Sequence, residues 1–196
     1  MWELSKSIKR RYNSGLFHTR YFLGHGVDIG GGPDPLEQYV ECFSRMRSVR
    51  TWDLKDGDAQ YMESVPDGKF DFVCSSHCLE HMVDVKIAFK NWIRVTKPGG
   101  FLVITIPDED LYEQGFWPSR YNSDHKWTFT IGKKESWSPK SINLLEMLME
   151  FADEVEVEKL ELMRSMFRET LAEKKVDQTM GPVAESCIEM ILRKRE

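Results

Sequence analysis

The 196-residue sequence predicts a doubly wound α/β fold, with a mostly parallel sheet covered by helices on both faces. Three observations carry that expectation. Short, continuous apolar segments alternate with stretches of helical period, as strands buried on both faces require. One of those segments runs straight into consecutive glycines, Gly30-Gly31-Gly32. Two late β-prone stretches are separated by a charged excursion, which suits an antiparallel pair at the end of the sheet. With 41% hydrophobic and 30% charged residues the chain can bury one core, and its length fits a single domain over residues 1–196.

Each element follows in order. Leu4, Ile8 and Tyr12 stand at helical spacing among Lys6, Lys9, Arg10 and Arg11, so residues 1–20 are an N-terminal helical segment whose helix ends near Asn13-Ser14-Gly15. His25-Gly26-Val27-Asp28-Ile29 reads as a strand, residues 35–45 as a helix, and residues 48–53 and 70–75 as buried strands. Residues 85–95 carry Ile87, Ala88, Trp92, Ile93 and Val95 on a helix, stopped by Lys97-Pro98-Gly99-Gly100 before a strand at 101–106. Residues 108–137 then lose all period while holding Tyr112, Phe116, Trp117, Tyr121, His125, Trp127, Phe129 and Trp137. A connection that long calls for a functional reason, and an acceptor lid that excludes water is the reading adopted. Residues 138–152 read as a capped amphipathic helix, and 155–163 and 187–193 as strands.

Composition excludes some partners. Twenty-seven basic against 32 acidic side chains give a net charge of -5, a field that repels nucleic acid and anionic membrane. No apolar run is long enough for a bilayer, and Met1-Trp2-Glu3-Leu4-Ser5-Lys6 lacks the apolar stretch of a signal peptide, so a cytoplasmic location is expected. Cys42, Cys74, Cys78 and Cys187 have neither zinc nor redox spacing and read as reduced core thiols.

The chemistry concentrates at strand ends. Val27-Asp28-Ile29-Gly30-Gly31-Gly32-Pro33-Asp34 lets the backbone turn sharply and approach a ligand. A dinucleotide fingerprint beginning at Gly30 would need glycine where Pro35 stands, which disfavours a nicotinamide-dependent oxidoreductase. Asp28 would oppose a pyrophosphate but suits a ligand bearing a sulfonium and an ammonium. Asp53, about 20 residues beyond the turn, can accept both hydroxyls of a ribose. Asp58-Ala59 falls where a short third strand would end, and a carboxylate there can accept from an adenine amino group.

These segments, with Phe70-Asp71-Phe72-Val73, Ser76-His77-Cys78-Leu79-Glu80-His81 and Lys97-Pro98-Gly99-Gly100, resemble the class I S-adenosylmethionine (SAM)-dependent methyltransferases. The resemblance runs over roughly residues 24–108 and is nearest to the subgroup with Leu-Glu-His after the fourth strand. It implies a Rossmann-like, seven-stranded sheet with an antiparallel last strand, SAM as cofactor, and methyl transfer to an oxygen or nitrogen of a small-molecule acceptor. Asp28, Gly30, Gly31 and Gly32 would line the methionine part, Asp53 with Leu54 the ribose, and Asp58 with Ala59 the adenine. Ser75, Ser76 and His77 would lie at the methyl-donor end. Gly31 stands where many relatives have a small side chain, a departure that loosens the turn. Ser123-Asp124-His125-Lys126-Trp127-Thr128-Phe129-Thr130 resembles segments of methyltransferases that tailor glycans or small metabolites, which points to a sugar or glycan-related acceptor.

His77, His81 and His125 are the candidate general bases, since imidazole titrates near neutrality. His125 and Trp127 are expected to close toward the methyl group. Asp124 and His125 are adjacent without a third ligand, so no metal site is expected. The rival reading is a non-catalytic SAM-binding or scaffolding protein that retains the fold.

Overall fold

A computed structural model describes residues 3–181 and 183–196; Met1 and Trp2 of the expected N-terminal segment lie outside the described residues. In chain order the strands are β1 (Gly24–Ile29), β2 (Met46–Trp52), β3 (Phe70–Ser76) and β4 (Thr96–Pro107), then β5 (Thr128–Thr130) and β6 (Ser141–Asn143). The last two are β7 (Val155–Met163) and β8 (Cys187–Lys194). The helices are α1 (Glu3–Tyr12), α2 (Val85–Val95), α3 (Leu144–Glu150) and α4 (Glu169–Glu173). The main sheet has the order β2-β1-β3-β4-β8-β7, parallel from β2 to β4, with β8 antiparallel to both its neighbours. β5 and β6 pair separately.

Alternation sorts the strands onto two faces. Val27, Ile29, Val73, Leu102 and Ile104 point into the core that α2 and α3 cover with Phe89, Trp92, Ile93, Leu144 and Met147. Phe72, Cys74, Phe101 and Val103 face the opposite core, closed by Leu4 of α1 together with Phe17, Phe22 and Phe43. Each large apolar side chain of α2 that is removed from water contributes about 1.5–3 kcal/mol. Asp84 caps that helix by accepting from Ile87 N at 3.0 Å. No helix among the described residues is long and apolar enough to cross a membrane.

Four expectations need correction. The main sheet has six strands, not seven. The strand expected to end at Asp58-Ala59 is absent, because Asp53 and Asp56 close a capping box around a 3-10 turn at Leu54–Asp56. Residues 35–45 form a 3-10 turn, Leu36–Cys42, rather than an α-helix. Leu36 N is tied to Asp28 at one end and Phe43 is buried at the other, and the longer rise of a 3-10 turn covers that span. The helix expected from residue 138 begins at Leu144, where Asn143 accepts from Leu145 N and Glu146 N, and Ser141–Asn143 pairs with β5 instead.

Candidate active site

The parallel strands β1, β2 and β3 end side by side, and the register brings Asp28 opposite Thr51 and Cys74. Gly30 follows with φ 78°, and a Cβ there would stand 2.5 Å from Cys78 Sγ. At Gly31 a Cβ would meet Asp28 Oδ2 at 2.6 Å. The inward Asp28 carboxylate, not only the turn, therefore demands glycine. Asp28 is 1% exposed; its Oδ2 accepts from Leu36 N at 2.7 Å while Oδ1 has no partner among the described residues. Burial pushes its pKa up to about 7, against the lowering effect of the Leu36 hydrogen bond.

Two adjoining cavities open at this sheet edge. One, of about 640 Å³, is lined by Trp52, Asp53, Leu54, Asp58, Ala59 and Met82 among others. The second, of about 350 Å³, is lined by Asp28, Gly31, Ser76, Tyr112, Tyr121 and His125 among others. Gly30, His77 and His81 line both, so they stand at the junction. Most residues expected at the cofactor are thus distributed along one groove. Gly32 and Ser75 line neither cavity; Ser75 Oγ donates to Ile29 O at 3.1 Å beneath the floor. One carboxylate oxygen of Asp53 already accepts from Leu54 N at 2.7 Å, and Asp58 Oδ1 accepts from Gln60 N at 2.8 Å.

The three candidate histidines converge on one carboxylate. Glu80 is fully buried, and neither of its oxygens has a hydrogen-bond partner among the described residues. His77 Nδ1 lies 3.6 Å from its Oε1, His125 Nε2 3.8 Å and His81 Nε2 3.9 Å. Burial raises the Glu80 pKa, opposed by the charges of His125 and His81. His77 has φ 53°, a strained backbone for a non-glycine residue, and neither ring nitrogen is hydrogen-bonded. Burial holds it well below the ordinary histidine pKa. Burial would lower His125 likewise, but its Nδ1 donates to Glu113 Oε1 at 2.6 Å, and that bond with the nearby carboxylates raises its pKa instead.

Residues 108–137 are packed against the domain by side chains more than by regular structure. Lys126 N donates to Glu80 O at 2.9 Å and Lys126 Nζ to His81 O at 2.7 Å, clamping the segment onto the turn after β3. Tyr112, Tyr121 and His125 reach the cavity. Trp127 does not: it packs on the α2-side core, and its Nε1 donates to Met82 O at 2.9 Å. In this structure Trp127 therefore lies away from the cavity that His125 reaches.

Several lining residues had no signal in the sequence. Glu3 and Leu4 of α1 wall the smaller cavity, as do Asp34, Thr179 and Met180. Asp34 fastens α1 to the glycine turn by accepting from Ser5 N at 2.8 Å and Ser5 Oγ at 2.7 Å. Lys6 Nζ donates to Thr179 O at 2.6 Å, drawing the C-terminal excursion to the same place. Glu113 could have been suspected only from the three-dimensional neighbourhood of His125, 12 residues away.

Comparison with known proteins agrees with this architecture. Residues 25–104 match the family described as a methyltransferase domain. Ajmaline N-methyltransferase of Rauvolfia serpentina is 32% identical over 79 residues, 40% of this chain and 26% of the relative, so the match spans about a quarter of that enzyme. The structure of a SAM-dependent methyltransferase from Archaeoglobus fulgidus superimposes with a TM-score of 0.57 at 17% identity, covering 98% of this chain and 94% of the other. Haemonchus contortus phosphoethanolamine N-methyltransferase 2, in complex with SAM, gives 0.58 at 18% identity over 100% of this chain and 53% of its own. At these identities the two structures establish the shared fold.

Proposed function

We propose that this chain, whose residues 25–104 match a methyltransferase domain, is a class I SAM-dependent methyltransferase that moves a methyl group to an oxygen or nitrogen of a small-molecule acceptor. The observation that carries the reading is the groove itself: two cavities meeting at Gly30, His77 and His81, with an unpartnered Asp28 oxygen in the smaller one. When bound, SAM supplies a methyl group already activated on a sulfonium. Asp53, Leu54, Asp58 and Ala59 would hold the adenosine half in the larger cavity, where one Asp53 oxygen is not committed to the Leu54 cap. Asp28 would receive the ammonium of the methionine half through Oδ1, and the flat face of Gly30 and Gly31 leaves room for it.

The reacting centre then falls at the junction. His77 sits there neutral and unpaired, with Glu80 Oε1 3.6 Å and Glu3 Oε2 3.8 Å from its two nitrogens, so carboxylates flank the imidazolium that forms when it takes the acceptor proton. Tyr112, Tyr121 and α1 close the acceptor side against water. Orientation in such a site can supply about 7–11 kcal/mol of the barrier, against about 100- to 10,000-fold from a general base. The arrangement of walls therefore matters more than any one proton acceptor. The ajmaline enzyme is named for methylating a small molecule at nitrogen, which supports an acceptor of that size.

The test is calorimetric titration with SAM and with NAD, followed by turnover of methyl-labelled SAM on sugar, amine and small-acid fractions. SAM binding with label transfer to a small molecule is expected. SAM binding without transfer to any fraction would favour the scaffolding alternative, and NAD binding in place of SAM would overturn the reading.

A further inference from the structure

A charge near His77 does not account for the missing hydrogen bonds of Glu80. A buried carboxylate normally accepts several hydrogen bonds, and this one accepts none among the described residues. The imidazole nitrogens around it stop at 3.6–3.9 Å, too far for hydrogen bonds. They face a common point without touching. Donor atoms of Glu80, His81 and His125 all lie within 4.8 Å of one another.

The outer contacts are organised for the same purpose. His81 Nδ1 donates to the Asp124 carbonyl oxygen at 3.2 Å and lies 3.0 Å from Asp124 Oδ2. His125 Nδ1 donates to Glu113 Oε1 at 2.6 Å. Each bond places the ring proton on Nδ1 and leaves the Nε2 lone pair turned inward, as carboxylate or carbonyl partners do for metal-bound histidines. The clamp from Lys126 to Glu80 O and His81 O holds the two chain segments in this relation.

We propose that Glu80, His81 and His125 bind one divalent first-row transition-metal ion through Glu80 Oε1 and the two histidine Nε2 atoms. Two imidazoles and one carboxylate suit zinc, iron(II) or manganese, whereas magnesium and calcium prefer oxygen sets. Donors at about 2.0–2.2 Å from one ion stand roughly 3–4 Å apart, so inward shifts of up to about an ångström complete the site. Three protein ligands leave coordination positions free, and His81 and His125 both line the smaller cavity toward Tyr112 and Tyr121. An acceptor oxygen bound there would lie beside His77, its acidity raised by the ion. This last role rests on the methyl-transfer reading; the ion site itself does not.

Full-length, chelator-treated protein is titrated with Zn²⁺ by calorimetry and with Co²⁺ by visible absorption, and SAM affinity is measured in parallel. The expected result is about one Zn²⁺ per chain and a Co²⁺ ligand-field spectrum of a nitrogen- and oxygen-ligated site. Glu80→Gln, His81→Gln and His125→Gln should each weaken Zn²⁺ at least about tenfold, and Glu113→Gln about 10- to 100-fold as a positioning residue. Circular dichroism checks folding, and the partly exposed His81 provides a readable variant should the buried ones unfold. A wild-type chain that binds SAM but takes up neither ion, or a Co²⁺ spectrum unchanged in His81→Gln, would overturn the site while leaving the methyltransferase reading intact. Ion binding in a chain that never binds SAM would do the reverse.

Discussion

Asp28 makes two demands on a single carboxyl group. Burial raises it from 3.8 to about 7, so the proton is held more tightly in the folded chain than in the unfolded one. Its contribution to the stability of the ligand-free protein is therefore full below about pH 4 and lost as pH rises through about 7. An ammonium group is held by the ionised form, so SAM affinity should rise about fivefold between pH 6 and pH 7. Asp28→Asn should abolish that dependence in calorimetry; a parallel slope in the variant would remove Asp28 from the cofactor. Asp53→Ala should weaken SAM by roughly 1.5–3 kcal/mol, the range for hydrogen bonds to a charged group. Because Asp53 also caps Leu54, a melting curve must accompany the titration, and unchanged SAM affinity in a folded variant would argue against the ribose contact.

At the scale of elements, the segment at residues 108–137 divides into parts with different tasks. His125→Ala removes a side chain that is buried, faces the cavity and leaves Glu113 unpaired. Methyl transfer should fall at least about tenfold while SAM affinity changes less than about threefold. Trp127→Ala should act elsewhere, because its ring packs on the core and its Nε1 is spent on Met82 O. Its expected signature is a loss of about 3 kcal/mol in a denaturant titration. A stable Trp127→Ala variant that has lost turnover would reverse this division. The segment is the proposed lid, and limited proteolysis is expected to cut it faster without SAM than with it. Equal cleavage in both states would mark it as a fixed wall.

Across the whole molecule, α1 is joined to β8 by buried charge. Arg11 and Glu189 are both fully buried, with NH2 to Oε2 at 3.1 Å, and Arg10 and Lys159 reach the same carboxylate at 2.9 and 3.0 Å. Burial alone would raise the Glu189 pKa, but Arg11 and Arg10 outweigh it and hold the group at about 2. The stabilisation is present above the ordinary glutamate value of 4.5 and is lost as pH falls toward 2. Glu189→Gln strands the buried Arg11, while Arg10 and Lys159 keep Glu185 and Glu161, and a loss of about 3–5 kcal/mol is expected by chemical denaturation at pH 7. The consequence reaches the site, since α1 also carries Glu3 and Leu4 to the smaller cavity. A variant as stable as the parent would show that α1 is held by apolar packing alone.

Local pattern sufficed for what depends on near neighbours in sequence. The apolar runs of β1, β3 and β4, the glycine turn with Asp28, and the α2 periodicity were all legible, because strand burial and helical amphipathicity are written at spacings of two to four residues. Their order also carried the α/β class and the resemblance that implied SAM. The tertiary structure alone decided the rest. It chose six strands over seven, since one capping box of Asp53 and Asp56 outcompetes an isolated short strand. It turned Trp127 inward and brought Glu3, Tyr112 and Thr179 to one cavity from three distant parts of the chain. It also set Glu80 against His81 and His125, residues whose spacing shows no ligand motif. Such contacts form when separate elements pack on a shared core, and their geometry is fixed by the burial they achieve together rather than by any segment alone.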